Sequence, residues 1–204
     1  GGNQAPHTYG TGYPKVTVHN CGNSIEYVYG GGNAAAVAAT DVTIYGGDVI
    51  GNVFGGGNGE SGTAADVNGD AVTKIYGGTI LNVYGGSNSK GEIKGDILLT
   101  VNSQQEPGEN KKLCTMNIEN VYGGGNKADS KVGSIDIGCT GTDGRIDNVY
   151  GGANAADVNS DIDLHINGGN IGNVFGGNNQ SGNISGTITV TVGNDPNDCG
   201  VFQV

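Results

Sequence analysis

The stretch Ile118–Asn126 reads IENVYGGGN, and it decides the fold because the chain writes it six times. The other copies are IEYVYGGGN from Ile25, IGNVFGGGN from Ile50, ILNVYGGSN from Ile80, IDNVYGGAN from Ile146 and IGNVFGGNN from Ile171. Their starts lie 25, 30, 38, 28 and 25 residues apart. A period of that size marks a repeat architecture, in which each unit buries its apolar side against its neighbours.

Each period carries two further segments. A short apolar spot follows the nonapeptide, at Val37, Val67, Ile93, Val132, Val158 and Ile184. Then comes an alternating run: VTIYGG from Val42, VTKIYGG from Val72, ILLTV from Ile97, IDI from Ile135, IDLHINGG from Ile162 and ITVTV from Ile188. Period-two alternation of β-branched residues, bounded by Gly, Asn and Asp, is a strand signal. We therefore read three short strands per period and an all-β, single-stranded parallel β-helix (β-solenoid) of about six turns. Equivalent strands would pair at ~4.8 Å, giving a rod of roughly 29 Å. An antiparallel meander would not call for the same residue at stacked positions. A propeller blade needs ~40 residues or more.

Composition sets the outer bounds. Of 204 residues 42 are Gly, Trp is absent and the net charge is −11, with nine basic residues against 20 acidic ones. Gly at this level argues against helices, and no apolar run approaches membrane-spanning length. The acidic balance excludes an electrostatic footprint for nucleic acid.

Sidedness follows from the alternating runs. Lys74 is expected outside, which puts Ile75 inside and Tyr76 outside. Asp163 and His165 face out between Ile162, Leu164 and Ile166; Thr189 and Thr191 face out between Ile188, Val190 and Val192. By analogy Val28, Val53, Val83, Val121, Val149 and Val174 stack inside. The aromatic column Tyr29, Phe54, Tyr84, Tyr122, Tyr150 and Phe175 then lies on the outside, where it is the leading ligand-binding candidate. Its competing role is ring-on-ring stacking that stabilises the turns. Asn33, Asn58, Asn88, Asn126, Asn154 and Asn179 read as turn residues tolerant of the left-handed conformation, and as a side-chain ladder. Asn52, Asn82, Asn120, Asn148 and Asn173 make a second column, with Tyr27 as its exception.

These repeats resemble the right-handed parallel β-helix, or pectin-lyase-like, class over residues 16–204. The VYGGGN units most resemble repeats of large surface proteins of gut Bacteroidales. The class includes polysaccharide lyases, glycoside hydrolases, adhesins and autotransporter passengers. The resemblance thus implies an extracellular or cell-surface setting, with carbohydrate or a surface protein as partner, and leaves catalysis and display both open.

Residues 1–15 lack the repeat and read as a leading segment or cap. Residues 16–204 form the repeat domain, expected to be a fragment of a longer array. Val201-Phe202-Gln203-Val204 resembles the opening of a seventh nonapeptide, which suggests end-to-end self-association through an open last turn. Cys114 and Cys139 lie 25 residues apart, about one turn, and are the disulfide candidate among four cysteines. Cys21 and Cys199 are expected at opposite ends of the rod. The Asn102–Asn117 insertion departs most from the repeat.

No catalytic constellation emerges. Asp129 and Asp157 share a column, as do Glu119 and Asp147; carboxylates ~5 Å apart are the one place offering Ca²⁺ ligands. Arg145 is the sole Arg, too little for an Arg-based lyase centre. His7, His19 and His165 fall in unrelated segments. The Gly pairs at Gly46-Gly47 and Gly55-Gly56 have the nine-residue spacing of a calcium roll, but Val49 and Gly51 stand where that motif needs Gly and Asp. The expected function is a non-catalytic structural or adhesive solenoid without cofactor; the alternative is a fragment of a carbohydrate-active β-helix enzyme.

Overall fold

In the computed structural model, residues 2–7, 12–59, 62–104, 113–193 and the backbone of 202–203 are described. Among them there is no helix, and so none long and apolar enough to cross a membrane. The chain is a parallel β-solenoid of about six turns with two seven-stranded sheets.

The first sheet stacks β1 (Lys15–Val18), β3 (Thr40–Ile44), β5 (Ala71–Ile75), β7 (Ile97–Val101), β9 (Val132–Ile137), β11 (Ile162–Ile166) and β13 (Ile188–Val192). The second stacks β2 (Ser24–Tyr29), β4 (Val49–Phe54), β6 (Gly78–Tyr84), β8 (Met116–Tyr122), β10 (Arg145–Tyr150), β12 (Gly169–Phe175) and β14 (Phe202–Gln203). Each turn runs from a strand of the second sheet, around a glycine corner, to a strand of the first. Equivalent repeat residues face each other, as in Ile118↔Ile146, Val121↔Val149 and Tyr122↔Tyr150.

The third strand of each turn is not formed. It is a column of single-residue bridges: His7↔Val37, Val37↔Val67 and Val67↔Ile93, then Ser130↔Val158 and Val158↔Ile184. In turn four Ser130, not Val132, holds the column position. Val132 opens β9 instead, and a register shift there leaves Gly133 as an extra residue between the Ile97↔Val132 and Leu98↔Ser134 pairs.

The interior is as the alternation predicts, but Tyr76, expected outside, is only 4% exposed and stacks on Tyr45. Val53, Val83, Val121 and Val149 are fully buried, together with Ile50, Ile146, Ile162, Leu164 and Ile166. Each such side chain buries area worth about 1.5–3 kcal/mol against exposure, and equivalent residues stack in register from turn to turn. At the last turn the same column emerges into solvent: Val190 and Val192 are 39% and 53% exposed. The final residues do join the second sheet, but Phe202 pairs with Gly169 and Gln203 with Asn170. That is three positions away from a seventh nonapeptide, which would set Val201 opposite Ile171. Ahead of turn one the pattern extends one step: Asn3 and His7 supply a ladder and a bridge partner.

Candidate functional site: the aromatic column and its asparagine ladders

The six rings form one continuous stack. Successive centroids, from Tyr29 through Phe54, Tyr84, Tyr122 and Tyr150 to Phe175, are 5.0, 4.7, 4.7, 4.9 and 5.0 Å apart, with planes within 12°. The stack is separate from the main apolar core. It is not an outside column, however. Phe54, Tyr84 and Tyr122 are 1%, 4% and 3% exposed; Tyr29 and Tyr150 are half-buried, and only Phe175 is open. The expectation of an exposed row of rings is overturned for the three central members. Parallel strands set ring spacing near the interstrand distance, so each ring covers the faces of its neighbours.

The corner that follows each ring closes over it. Three residues separate ring from ladder asparagine in every copy, as Tyr84 from Asn88. Asn33 Nδ2 donates to Asn3 Oδ1 at 2.5 Å, and Asn58, Asn88, Asn126, Asn154 and Asn179 each donate to the asparagine one turn back at 2.5–3.0 Å. The second ladder runs Asn173, Asn148, Asn120, Asn82 to Asn52 at 2.9–3.1 Å. Asn88 Nδ2 also reaches the Tyr29 hydroxyl at 3.4 Å, and Asn179 Nδ2 that of Tyr122 at 3.2 Å. The ladder reading holds. The left-handed turn reading does not, because Asn20 is the only described non-glycine residue with positive φ.

The corner glycines serve close approach. None of the paired glycines after the rings has positive φ. A Cβ on Gly86 would sit 2.7 Å from the Gly125 amide nitrogen, and one on Gly123 would meet the Gly151 carbonyl oxygen and Ile135 Cδ1. Stacked backbones at this corner leave no room for side chains.

Burial governs the phenols. It pushes the Tyr84 hydroxyl far above the usual tyrosine range, with Tyr122 beside it adding to the rise. Burial also raises Tyr122, helped by Tyr150 and opposed by the bond from Asn179. Tyr29 is raised by burial and partly brought back by Asn88.

The remaining candidates are dispersed. Asp129 and Asp157 do share a column, but each is engaged: Asp129 Oδ1 accepts the Asp157 amide at 3.1 Å and Asp157 Oδ1 the Asn183 amide at 2.7 Å. Asp147 Oδ1 accepts from Arg145 Nε at 2.6 Å, on the outer face of the second sheet near Glu119. Among the described residues no three His, Cys, Asp or Glu side chains gather into a metal-binding group. His165 faces out beside Asp163 at 3.2 Å, while His7 belongs to the bridge column and His19 stacks on Tyr45.

The disulfide is not Cys114–Cys139. Cys21 pairs with Cys114, Cα to Cα 5.5 Å, across 93 residues. The Asn102–Asn117 insertion brings Cys114 back over the corners at Gly77 and Gly46, where a Cβ on Gly46 would collide with its sulfur. Two missing side chains open that route, and one-turn spacing could not reveal it. Cys139 is itself disulfide-bonded. Cys199 and residues 105–112 of the insertion lie outside the described residues.

Sequence reasoning also missed a basic cluster. Lys90, Lys127 and Lys131 line one groove between turns three and four. Aligning the segments after Asn88 and Asn126 would have shown lysines recurring there. Comparisons with known protein families, with curated proteins and with solved structures find no match to this chain.

Proposed function

We propose that this chain is a non-catalytic structural solenoid, a stiff rod-like element of an extracellular or cell-surface protein. One observation carries the reading: the six-ring column is spent on itself, its central faces closed by neighbouring rings and its corners by ladder asparagines. A ring that stacks sugar needs a free face, and only Phe175 among the six is exposed. The Cys21–Cys114 disulfide supports an oxidising compartment. The resemblance of the VYGGGN repeats to surface proteins of gut Bacteroidales, and of the whole to right-handed pectin-lyase-like helices, favours the same setting.

A glycan array read beside thermal melting tests this. Tyr122→Ala is expected to lower the melting temperature while the array profile of the folded protein stays as in the wild type. Loss of a defined glycan signal at unchanged melting temperature would overturn the structural role.

A further inference from the structure

The solenoid is interrupted at one place. The bridge column runs His7, Val37, Val67, Ile93, stops, and resumes at Ser130, Val158, Ile184. Elsewhere the column residue donates its amide to the next turn, as Val67 N–H does to the Glu92 carbonyl at 2.9 Å and Ser130 N–H to that of Asp157 at 3.0 Å. Ile93 and Ser130 make no such pair. Turn three spends five residues from Asn88 to Ile93, and turn four spends four from Asn126 to Ser130. The two segments part, and a groove of ≈ 410 Å³ opens between Ser89–Glu92 and Lys127–Lys131, with Asn159 at its edge.

Its wall departs from the rest of the chain. The protein carries −11 overall on nine basic residues, yet three of those nine, Lys90, Lys127 and Lys131, line this groove against two carboxylates. Both carboxylates are engaged. Glu92 Oε1 lies 3.9 Å from Lys131 Nζ across the groove. Asp129 Oδ1 takes the Asp157 amide. Lys90 and Lys127 have no ion pair or side-chain hydrogen bond among the described residues. One lysine on each lip therefore stands outside any ion pair among the described residues. No aromatic and no large apolar side chain lines the space.

We propose that this groove binds the oxyanion, carboxylate or sulfate, of a small hydroxylated ligand, held between Lys90 and Lys127. Two ammonium groups on opposite lips favour a compact anion placed between them, since charge-assisted hydrogen bonds are about twice as strong as neutral ones. The volume lies within the range of small-molecule sites.

Calorimetric titration of the folded chain with glucuronate, with its neutral counterpart glucose and with sodium sulfate tests the site. Saturable binding of glucuronate is expected, with none for glucose. Weaker sulfate binding would assign the gain to ligand hydroxyls, and equal sulfate binding would assign the site to the anion alone. Lys90→Ala/Lys127→Ala is expected to weaken binding about tenfold or more. Lys15→Ala/Lys74→Ala removes the same charge elsewhere and is expected to leave it within twofold. Both double variants change exposed or half-exposed side chains, and circular dichroism confirms their fold. Glucose binding as well as glucuronate, no saturable binding of either anion, or equal losses in the two double variants would each overturn the proposal.

Discussion

The glycine corner and the face that follows it are built by the same repeat and behave differently. At the corner the ladder asparagine is the fourth residue after the ring in every turn, from Tyr29 to Asn33 through to Phe175 to Asn179. The asparagine ladder there is continuous from Asn3 to Asn179. On the next face the count varies: four residues from Asn33 to Val37, nine from Asn58 to Val67, five from Asn88 to Ile93. Pairing there shrinks to single bridges and breaks once, between Ile93 and Ser130. Constant length keeps identical groups in register, so each hydrogen bond and ring contact supports the next. On the next face the single bridges hold the turns with less support, and where they stop, between Ile93 and Ser130, space opens between the turns.

The sharpest way to break the contrast is to place one methyl group on each side. Gly123→Ala puts a Cβ against the Gly151 carbonyl and Ile135 Cδ1 inside the closed corner. Backbone cannot move aside without disturbing turns on both sides. A loss of about 3 kcal/mol or more is expected by urea denaturation. Lys131→Ala on the open face removes only an exposed ion pair with Glu92 and is expected to stay within about 0.5 kcal/mol. Equal losses would mean that the open face is as rigidly packed as the corner.

The second contrast lies within the column, between burial and ionisation. Tyr84 is 4% exposed and its hydroxyl is held well above the usual tyrosine range by burial. Below pH ~10 the folded and unfolded states both keep the proton, and the stability is fully present. Above it the unfolded chain releases the proton while the folded one retains it, so stability falls as pH rises, by about 1.4 kcal/mol per pH unit for one such phenol. Tyr84→Phe removes the titrating group and keeps the ring, as Phe54 already does one turn away. Melting followed from pH 9 to 11 should show a shallower decline for Tyr84→Phe than for the wild type. Identical slopes would place the phenol in contact with bulk water.

How much of this the sequence reveals depends on periodicity. The stacks of Val, Ile, ring and Asn were legible because a parallel solenoid places the same residue at each level, and six near-copies fix the register. The burial of Phe54, Tyr84 and Tyr122 was not legible. Alternation tells which way a side chain leaves the strand, whereas the cover comes from a glycine corner folding back, which no period-two pattern encodes. The missing third strand has a related cause, since one apolar residue among Gly, Ser and Asp supplies a bridge but no strand. Cys21–Cys114 escaped because sequence spacing measures distance along the coil and the insertion leaves the coil. The lysine groove opens where the bridge column breaks between Ile93 and Ser130, and repeats draw the eye to what they share.

The smallest expected effect has the opposite sign. Ser130 holds the position that Val37, Val67, Ile93, Val158 and Ile184 hold in other turns. It is 4% exposed, and its hydroxyl is buried with no hydrogen-bond partner. The side chain points inward, since a Cβ on Gly124 would lie 2.6 Å from Ser130 Oγ. A buried hydroxyl without a partner costs about 1–3 kcal/mol, and an apolar group of similar size removes that cost. Ser130→Val is therefore expected to raise stability by about 1 kcal/mol, read as a shift of the urea midpoint at constant slope. Valine adds one heavy atom where Val158 already fits in the neighbouring turn. A fall in stability would mean that the turn has closed around serine, and the corner's tight packing would then extend to the face beyond it.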